Sequence, residues 1–221
     1  MKTSLKKDDL LSYTIKQINN FFPDKRRLKK STLSKSFQFT LERVEYCLSK
    51  INNKNYSNQK KLRFDHLNSD HYCIYLYFLS NSLFKNKINT EICAKVYYLN
   101  KLLNGIDMFY EVMLPDIFQV VHPVGTVLGR AKYSDFLTVY QNCTIGSNAK
   151  NSPILGKYLT LRPGSSILGS SIVGYNCQIA SKSLMIDKRL KDDTTYFGTP
   201  KNFSLKKKTK QSNWFDIEQF K

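Results

Sequence analysis

The chain has 221 residues, 41% of them hydrophobic, and a formal net charge of +18; that is room for one large or two small domains with a real core. The few Gly (9) and Pro (6) exclude a low-complexity chain, and the most apolar stretch, Tyr72 to Phe84, is too short and too polar to span a bilayer. The N-terminus carries lysines with no apolar run behind them, so no signal peptide is expected, and five dispersed cysteines (Cys47, Cys73, Cys93, Cys143, Cys177) without metal-ligand spacing read as reduced, buried thiols of a cytoplasmic protein with no metal site.

The first half reads as helical. Asp8 to Phe22 form a first helix stopped by Pro23. Ser31 or Thr32 caps a second, whose Leu33, Phe37, Leu41, Val44, Leu48 and Ile51 fall on one face. Asn52 to Asn58 is a polar loop, Ser69 caps a third helix running through Phe84, and Thr90 caps a fourth ending near Gly105. Ile106 to Gln119 then lead into a different pattern. Val121, Val127, Tyr133, Val139 and Ile145 fall six apart, and after a break the count resumes at Leu155, Leu161, Ile167, Val173, Ile179 and Met185. Small side chains follow most rungs by four residues: Gly125, Ala131, Cys143, Ser165, Ser171, Cys177 and Ser183, with Leu137 and Leu159 as exceptions. A period of six fits neither a helix nor an alternating strand; it is the hexapeptide signature of a parallel β-helix that buries one column of side chains per face. The break contains four extra residues within "GSNAKNSPIL", so a loop protrudes there. The division is therefore a helical domain over 1–112, a β-helix over 113–200 and a basic tail over 201–221, disordered or forming a docking helix through Trp214, Phe215 and Phe220. The fold class is α+β.

The positive charge is clustered at Lys25 to Lys30, Gln59 to Arg63 and Leu205 to Lys210. No helix-turn-helix, zinc-finger or RNP pattern accompanies these runs, so nucleic acid is not the expected partner. Phosphates of a cofactor, an anionic glycan or a membrane surface account for them equally well.

The order of helical domain and hexapeptide repeats resembles serine acetyltransferases. "MLPDIFQVVHP" is similar to their junction segment, "VYQNCTIG" to the strand before their cofactor loop, "LTLRPGSSILGSSIVGYNCQIASKSLMI" to their last two coils, and "TTYFGTPK" to the end of their domain. The resemblance covers about residues 100–202 well and the helices in outline. It implies a left-handed β-helix, an exception to the right-handed crossover rule, a homotrimer (pairing of trimers is left open) and acetyl-CoA bound between subunits. The departures matter too. The coil carrying the family's Asp-His pair is missing, Val120 stands where the family has Asp before Ile-His-Pro, and the Gly-rich loop with a second His is reduced to "SNAKNSP". Truncated relatives of this kind look like the O-acetyltransferases that decorate bacterial surface sugars.

Acetyl transfer to a hydroxyl needs a general base and donors for the oxyanion. His122 is the one histidine of the repeat region, at the height where the family keeps its base once a coil is lost; a turn residue is the alternative. Asp135, or else Asp116, is the expected orienting carboxylate. His66 and His71 lie in the helical half, His71 as a structural residue. Tyr140, Gln141 and Asn142, one coil above, are candidates to bind the acceptor or the oxyanion. By match to the family, Gly146, Gly164, Ala180 and Ser181 line the cofactor, with Lys182 and Lys201 for its phosphates and Arg162 as a salt-bridging surface residue. The reading is an acetyl-CoA-dependent O-acetyltransferase acting on a sugar or surface glycan; a serine O-acetyltransferase with a rearranged site and a non-catalytic trimeric scaffold are the alternatives.

Overall fold

The computed structural model describes residues 1–52, 63–148, 150–209 and 214–215. Of the segments singled out above, most of the polar loop, Gln59 to Leu62, Lys210 and Phe220 lie outside the described residues. Helices α1 (Lys7–Phe21), α2 (Lys30–Ser49), α3 (Ser69–Lys85) and α4 (Thr90–Asn104) form the first half. Strand β1 (Lys2–Thr3) pairs in parallel with β2 (Arg63–Phe64) beside them. Three helix starts differ from expectation. Lys29 is the N-cap of α2, without a side-chain bond, so Ser31 and Thr32 fall inside the helix. Asn68, not Ser69, caps α3, accepting from the N–H groups of Asp70 and His71, and Asn89, not Thr90, caps α4 through the N–H of Glu91. Asn satisfies the free N–H groups of a first turn as well as Ser or Thr does, so two adjacent capping residues leave a one-residue ambiguity. The fourth helix ends as expected, with Gly105 in the left-handed region at φ 61°.

From Phe118 the chain winds into a parallel solenoid of three faces. The first face is β3 (Phe118–Val121), β5 (Leu137–Tyr140), β8 (Thr160–Leu161), β11 (Gln178–Ile179) and β14 (Thr194–Gly198). The second is β4 (Val127–Leu128), β6 (Thr144–Gly146), β9 (Ser166–Leu168) and β12 (Leu184–Ile186). The third is β7 (Ile154–Leu155), β10 (Ile172–Val173) and β13 (Arg189–Leu190). The inward columns are Val120, Val139, Leu161, Ile179 and Tyr196; then Leu128, Ile145, Ile167 and Met185; then Leu155, Val173 and Leu190. The six-residue count is therefore out of frame in the first coil. Val120 and Leu128 are its rungs, and Val127 is 40% exposed where Leu128 is 1% exposed. The reason is a longer corner: eight residues separate Val120 from Leu128, against six from Val139 to Ile145 one coil on.

The two halves share one core. Phe118 of β3 meets Tyr77 and Phe78 of α3 edge-on at 5.8 and 5.6 Å. Arg43 lies 4.3 Å over the Phe78 ring and donates to Asn81 and Ser82. All five cysteines are free and buried; the Cys47 thiol donates to the Phe118 carbonyl at 3.2 Å, and burial pushes it up to about 12. The tail begins as strand, not as coil or helix: β15 (Phe203–Lys207) pairs antiparallel with β14. Further on, Phe215 packs on Ile117, Phe136 and Tyr158, and the N–H of Asn52 donates to the Trp214 carbonyl. Among the described residues no helix is long and apolar enough to cross a membrane, and no cluster of His, Cys, Asp and Glu could hold a metal.

Two predictions follow from packing and burial. Leu128→Ala should cost about 2–5 kcal/mol of unfolding free energy, and Val127→Ala less than about 1 kcal/mol. Denaturant titration decides, and the reverse order would restore the uncorrected frame. The second concerns His71, whose Nδ1 accepts the N–H of Asp65 at 3.2 Å. Burial lowers its pKa, with Asp65 pulling the other way. A folded value below the unfolded one, about 6.5, means that its contribution is fully present above that pH and lost as pH falls through the folded value. His71→Gln should therefore flatten the acid side of the stability curve; an unchanged slope below neutrality would show that His71 carries none of it.

Candidate active site

The enlarged corner after β3 carries His122. Its backbone is left-handed, at φ 50°, and its side chain is exposed. The helical half supplies its neighbour. Asp70, in the first turn of α3, lies close enough to this corner for His122 to act on its carboxylate. Burial raises the Asp70 pKa, while His122 and the Ser69 hydroxyl lower it. The carboxyl is thus partly desolvated and stands near the His122 corner, across the boundary between helices and solenoid. Asp70 is a candidate that sequence reasoning missed. Its position just after the expected cap, Ser69, was readable, but nothing along the chain pairs it with a corner some fifty residues away.

The expected orienting carboxylates are elsewhere. Asp135 accepts the Ile117 N–H at 3.1 Å. Ile117 precedes β3 and His122 follows it, so at about 3.3 Å per residue the two ends stand roughly 15 Å apart. Within one chain Asp135 therefore does not orient His122; it closes the opposite corner. Asp116 lies 3.9 Å from Arg43 and is largely exposed.

Other candidates do converge. Val121 pairs with Tyr140, so Gln141 and Asn142 form the same corner one coil beyond His122, and the Asn142 N–H donates to the Val124 carbonyl at 2.9 Å. Gly164 and Lys182 continue this column. Gly164 N–H donates to the Gln141 carbonyl at 2.9 Å and Lys182 N–H to the Pro163 carbonyl at 3.0 Å. Asn142, Gly164 and Lys182 all have positive φ, at 56°, 72° and 59°. Ala180 and Ser181 lead into Lys182, and Lys201 sits in the turn after β14 beyond the same end of the first face. Gly146 is the outlier: it ends β6, at the second corner.

Two features give the column polar chemistry. Gln141 Oε1 is buried with no hydrogen-bond partner among the described residues. An orphan acceptor costs about 1–3 kcal/mol, so it favours a bound N–H or O–H donor. The Tyr140 hydroxyl receives the Trp214 Nε1–H at 3.1 Å and an Arg162 N–H at 3.4 Å. With both lone pairs filled, its own proton remains as a donor. Arg162 also donates to Gln178 at 3.0 Å, so among the described residues its side-chain partners are neutral and not the expected acidic one.

No protein-family model matches this chain, and no curated protein sequence does. Solved structures match by shape. The serine acetyltransferase of Neisseria gonorrhoeae superposes with a TM-score of 0.71 at 16% identity, over 95% of this chain and 85% of that one. The serine acetyltransferase of Brucella abortus strain S19 gives 0.70 at 14% identity, over 94% and 86%. A serine acetyltransferase in complex with CoA gives 0.64 at 12% identity, over 80% and 75%. At this identity the likeness establishes the fold: the helical half and the hexapeptide solenoid occur together, in the same order, in solved serine acetyltransferases.

Proposed function

We propose that this chain is an acetyl-CoA-dependent O-acetyltransferase whose acceptor is the hydroxyl of serine or a close analogue. The observation that carries the reading is the exposed His122 at the foot of the left-handed corner column, near enough to Asp70 to lower its pKa. The His122 imidazole takes the acceptor hydroxyl proton as the oxygen attacks the thioester carbonyl. The tetrahedral oxyanion then collapses, the C–S bond breaks, and the imidazolium returns the proton to the departing thiolate. Asp70 suits this acceptor doubly, since its carboxylate supports the imidazolium and can face the α-ammonium of an amino acid. The Tyr140 hydroxyl and Gln141 Oε1 offer one donor and one acceptor next to it. The column beyond provides what an extended thioester co-substrate needs: a Gly164 with no side chain to obstruct approach, the small Ala180 and Ser181, and the cations Lys182 and Lys201. The fold neighbours support the choice of acceptor, because those named above are serine acetyltransferases.

A second reading keeps a sugar or surface-glycan hydroxyl as acceptor. The +18 charge favours it, since an anionic acceptor would be drawn to such a chain. In either case the assembly we propose is a homotrimer. Val127 and Ile154 stand 40% and 45% exposed on the outer solenoid faces and need cover. Sedimentation as a monomer at micromolar concentration would exclude this assembly.

The test is steady-state transfer from acetyl-CoA to serine and, separately, to nucleotide sugars. His122→Ala should cut kcat by about 10²–10⁴-fold with CoA affinity nearly intact. Asp70→Asn should raise KM for serine more than it raises KM for acetyl-CoA. Retention of more than about a third of kcat in His122→Ala, outside the range for a lost base, would leave His122 as a turn residue. Transfer to sugars but not to serine would establish the second reading, and absence of CoA binding would leave only the scaffold.

A further inference from the structure

Apart from Lys201 in its hairpin turn, the end of the solenoid opposite the helices carries none of the residues assigned above to acetyl transfer, and it is unlike an ordinary cap. The first face runs from β3, which packs on the helices, to β15, which is its last strand. Stacked repeats normally close with a polar outer surface. Here all five residues of β15 are exposed. Its register sets Phe203 opposite Gly198 and Leu205 opposite Tyr196, and Tyr196 is an inward core residue. Phe203 and Leu205 therefore lean over the mouth of the last coil. Phe203 stacks on Tyr196 at 5.4 Å and 13°, yet it stays 44% exposed, and Leu205 is 52% exposed.

Cations ring this apolar lip. A cleft of about 480 Å³ is lined by Arg189, Lys191, Thr194, Leu205, Lys206 and Lys207, together with Asp192 and Asp193. Lys188 Nζ adds a further charge 4.3 Å from the Phe203 ring centre. The two carboxylates are engaged at corners: Asp192 accepts the Tyr175 N–H at 2.8 Å, and Asp193 accepts from Asn176 at 2.6 Å. Among the described residues the four cations of the cleft form no ion pair.

We propose that this end face docks on an anionic lipid bilayer, with a phosphate-bearing headgroup in the cleft and Leu205 and Phe203 entering the interface. Clustered lysines draw the face to the negative surface, and interleaved apolar side chains gain from the acyl boundary. A nucleic acid would use the cations but leave Leu205 and Phe203 in water, so the lipid uses more of what the face presents. The proposal stands independently of the acceptor and of the transfer activity.

The experiment is co-sedimentation of the full chain with phosphatidylcholine vesicles, with and without about a third phosphatidylglycerol. Binding is expected only with the anionic lipid. Lys206→Ala and Lys207→Ala should each weaken it about fivefold, and Leu205→Ser by a comparable factor, while acetyl-CoA affinity stays unchanged. Absence of binding to anionic vesicles overturns the proposal. Binding insensitive to Leu205→Ser, and competed away by a DNA duplex, overturns it in favour of a general polyanion patch. Loss of acetyl-CoA affinity in the lysine variants, without vesicle binding, assigns the cations to the co-substrate instead.

Discussion

Parallel stacking of coils in register is the constraint on which the structure depends. Each strand donates to the strand one coil on, and each inward side chain sits on the one before it. A residue added within a strand would turn its whole inward set outward. Extra residues can only be expelled at corners. The chain has two such sites: the enlarged corner between Val120 and Leu128, and the loop between Ile145 and Leu155. In that loop the Asn148 side chain accepts the N–H groups of Lys150 and Asn151, so the excursion is closed by its own turn. The corner at His122 instead lies near the first turn of α3, where His122 lowers the pKa of Asp70.

Packing of α3 on β3 makes the helical half and the solenoid one unit. The aromatic contact of Phe118 with Tyr77 and Phe78 fixes α3 against the first strand. With α3 fixed, its first turn stands over the far end of the same strand, where His122 emerges. The buried apolar contact sets the height, and the half-buried carboxylate sets the polarity of the corner. The tail adds a third support: Phe215 fills the opposite corner beside Phe136 and Tyr158, while Trp214 reaches the Tyr140 hydroxyl.

Much of this was legible in the sequence. The six-residue count gave the solenoid and most of its inward columns, because a period of six has no competing local explanation. It failed in the first coil for the same reason that the corner is interesting: two added residues shift the frame, and both Val120 and Val121 are apolar enough to serve as rungs. The helix caps slipped by one residue because Asn68 and Ser69, and Asn89 and Thr90, are each adjacent pairs of capping types. Of the residues gathered on one column, Gln141 and Asn142 came from their place one coil above His122, Gly164 from the match to a family, and Lys182 from its charge near the end of the groove. The nearness of Asp70 to His122 was not readable, since it depends on how far the aromatic contact brings α3 along the strand. Asp135 looked right by distance in sequence, and the strand between the two corners separates it from His122.

Backbone strain separates the functional corner from the structural ones. Left-handed residues recur where the coils turn, and each non-glycine example costs about 1–2 kcal/mol. At the third corner the cost is offset on the spot. The Phe136 and Tyr158 rings stack at 4.3 Å and 4°, and Asn176 and Asp193 hydrogen-bond to each other. At the first corner Gly164 avoids the strain, and Asn142 tolerates it as Asn generally does. His122 and Lys182 do neither. Both hold positive φ with exposed side chains. Glycine would relieve the backbone at either position and would remove an imidazole or an ammonium group. Positions where strain is kept for an unpacked, chemically active side chain are where a fold serves a ligand more than itself. On this chain they stand at the two ends of one column, His122 at its foot and Lys182 three coils on.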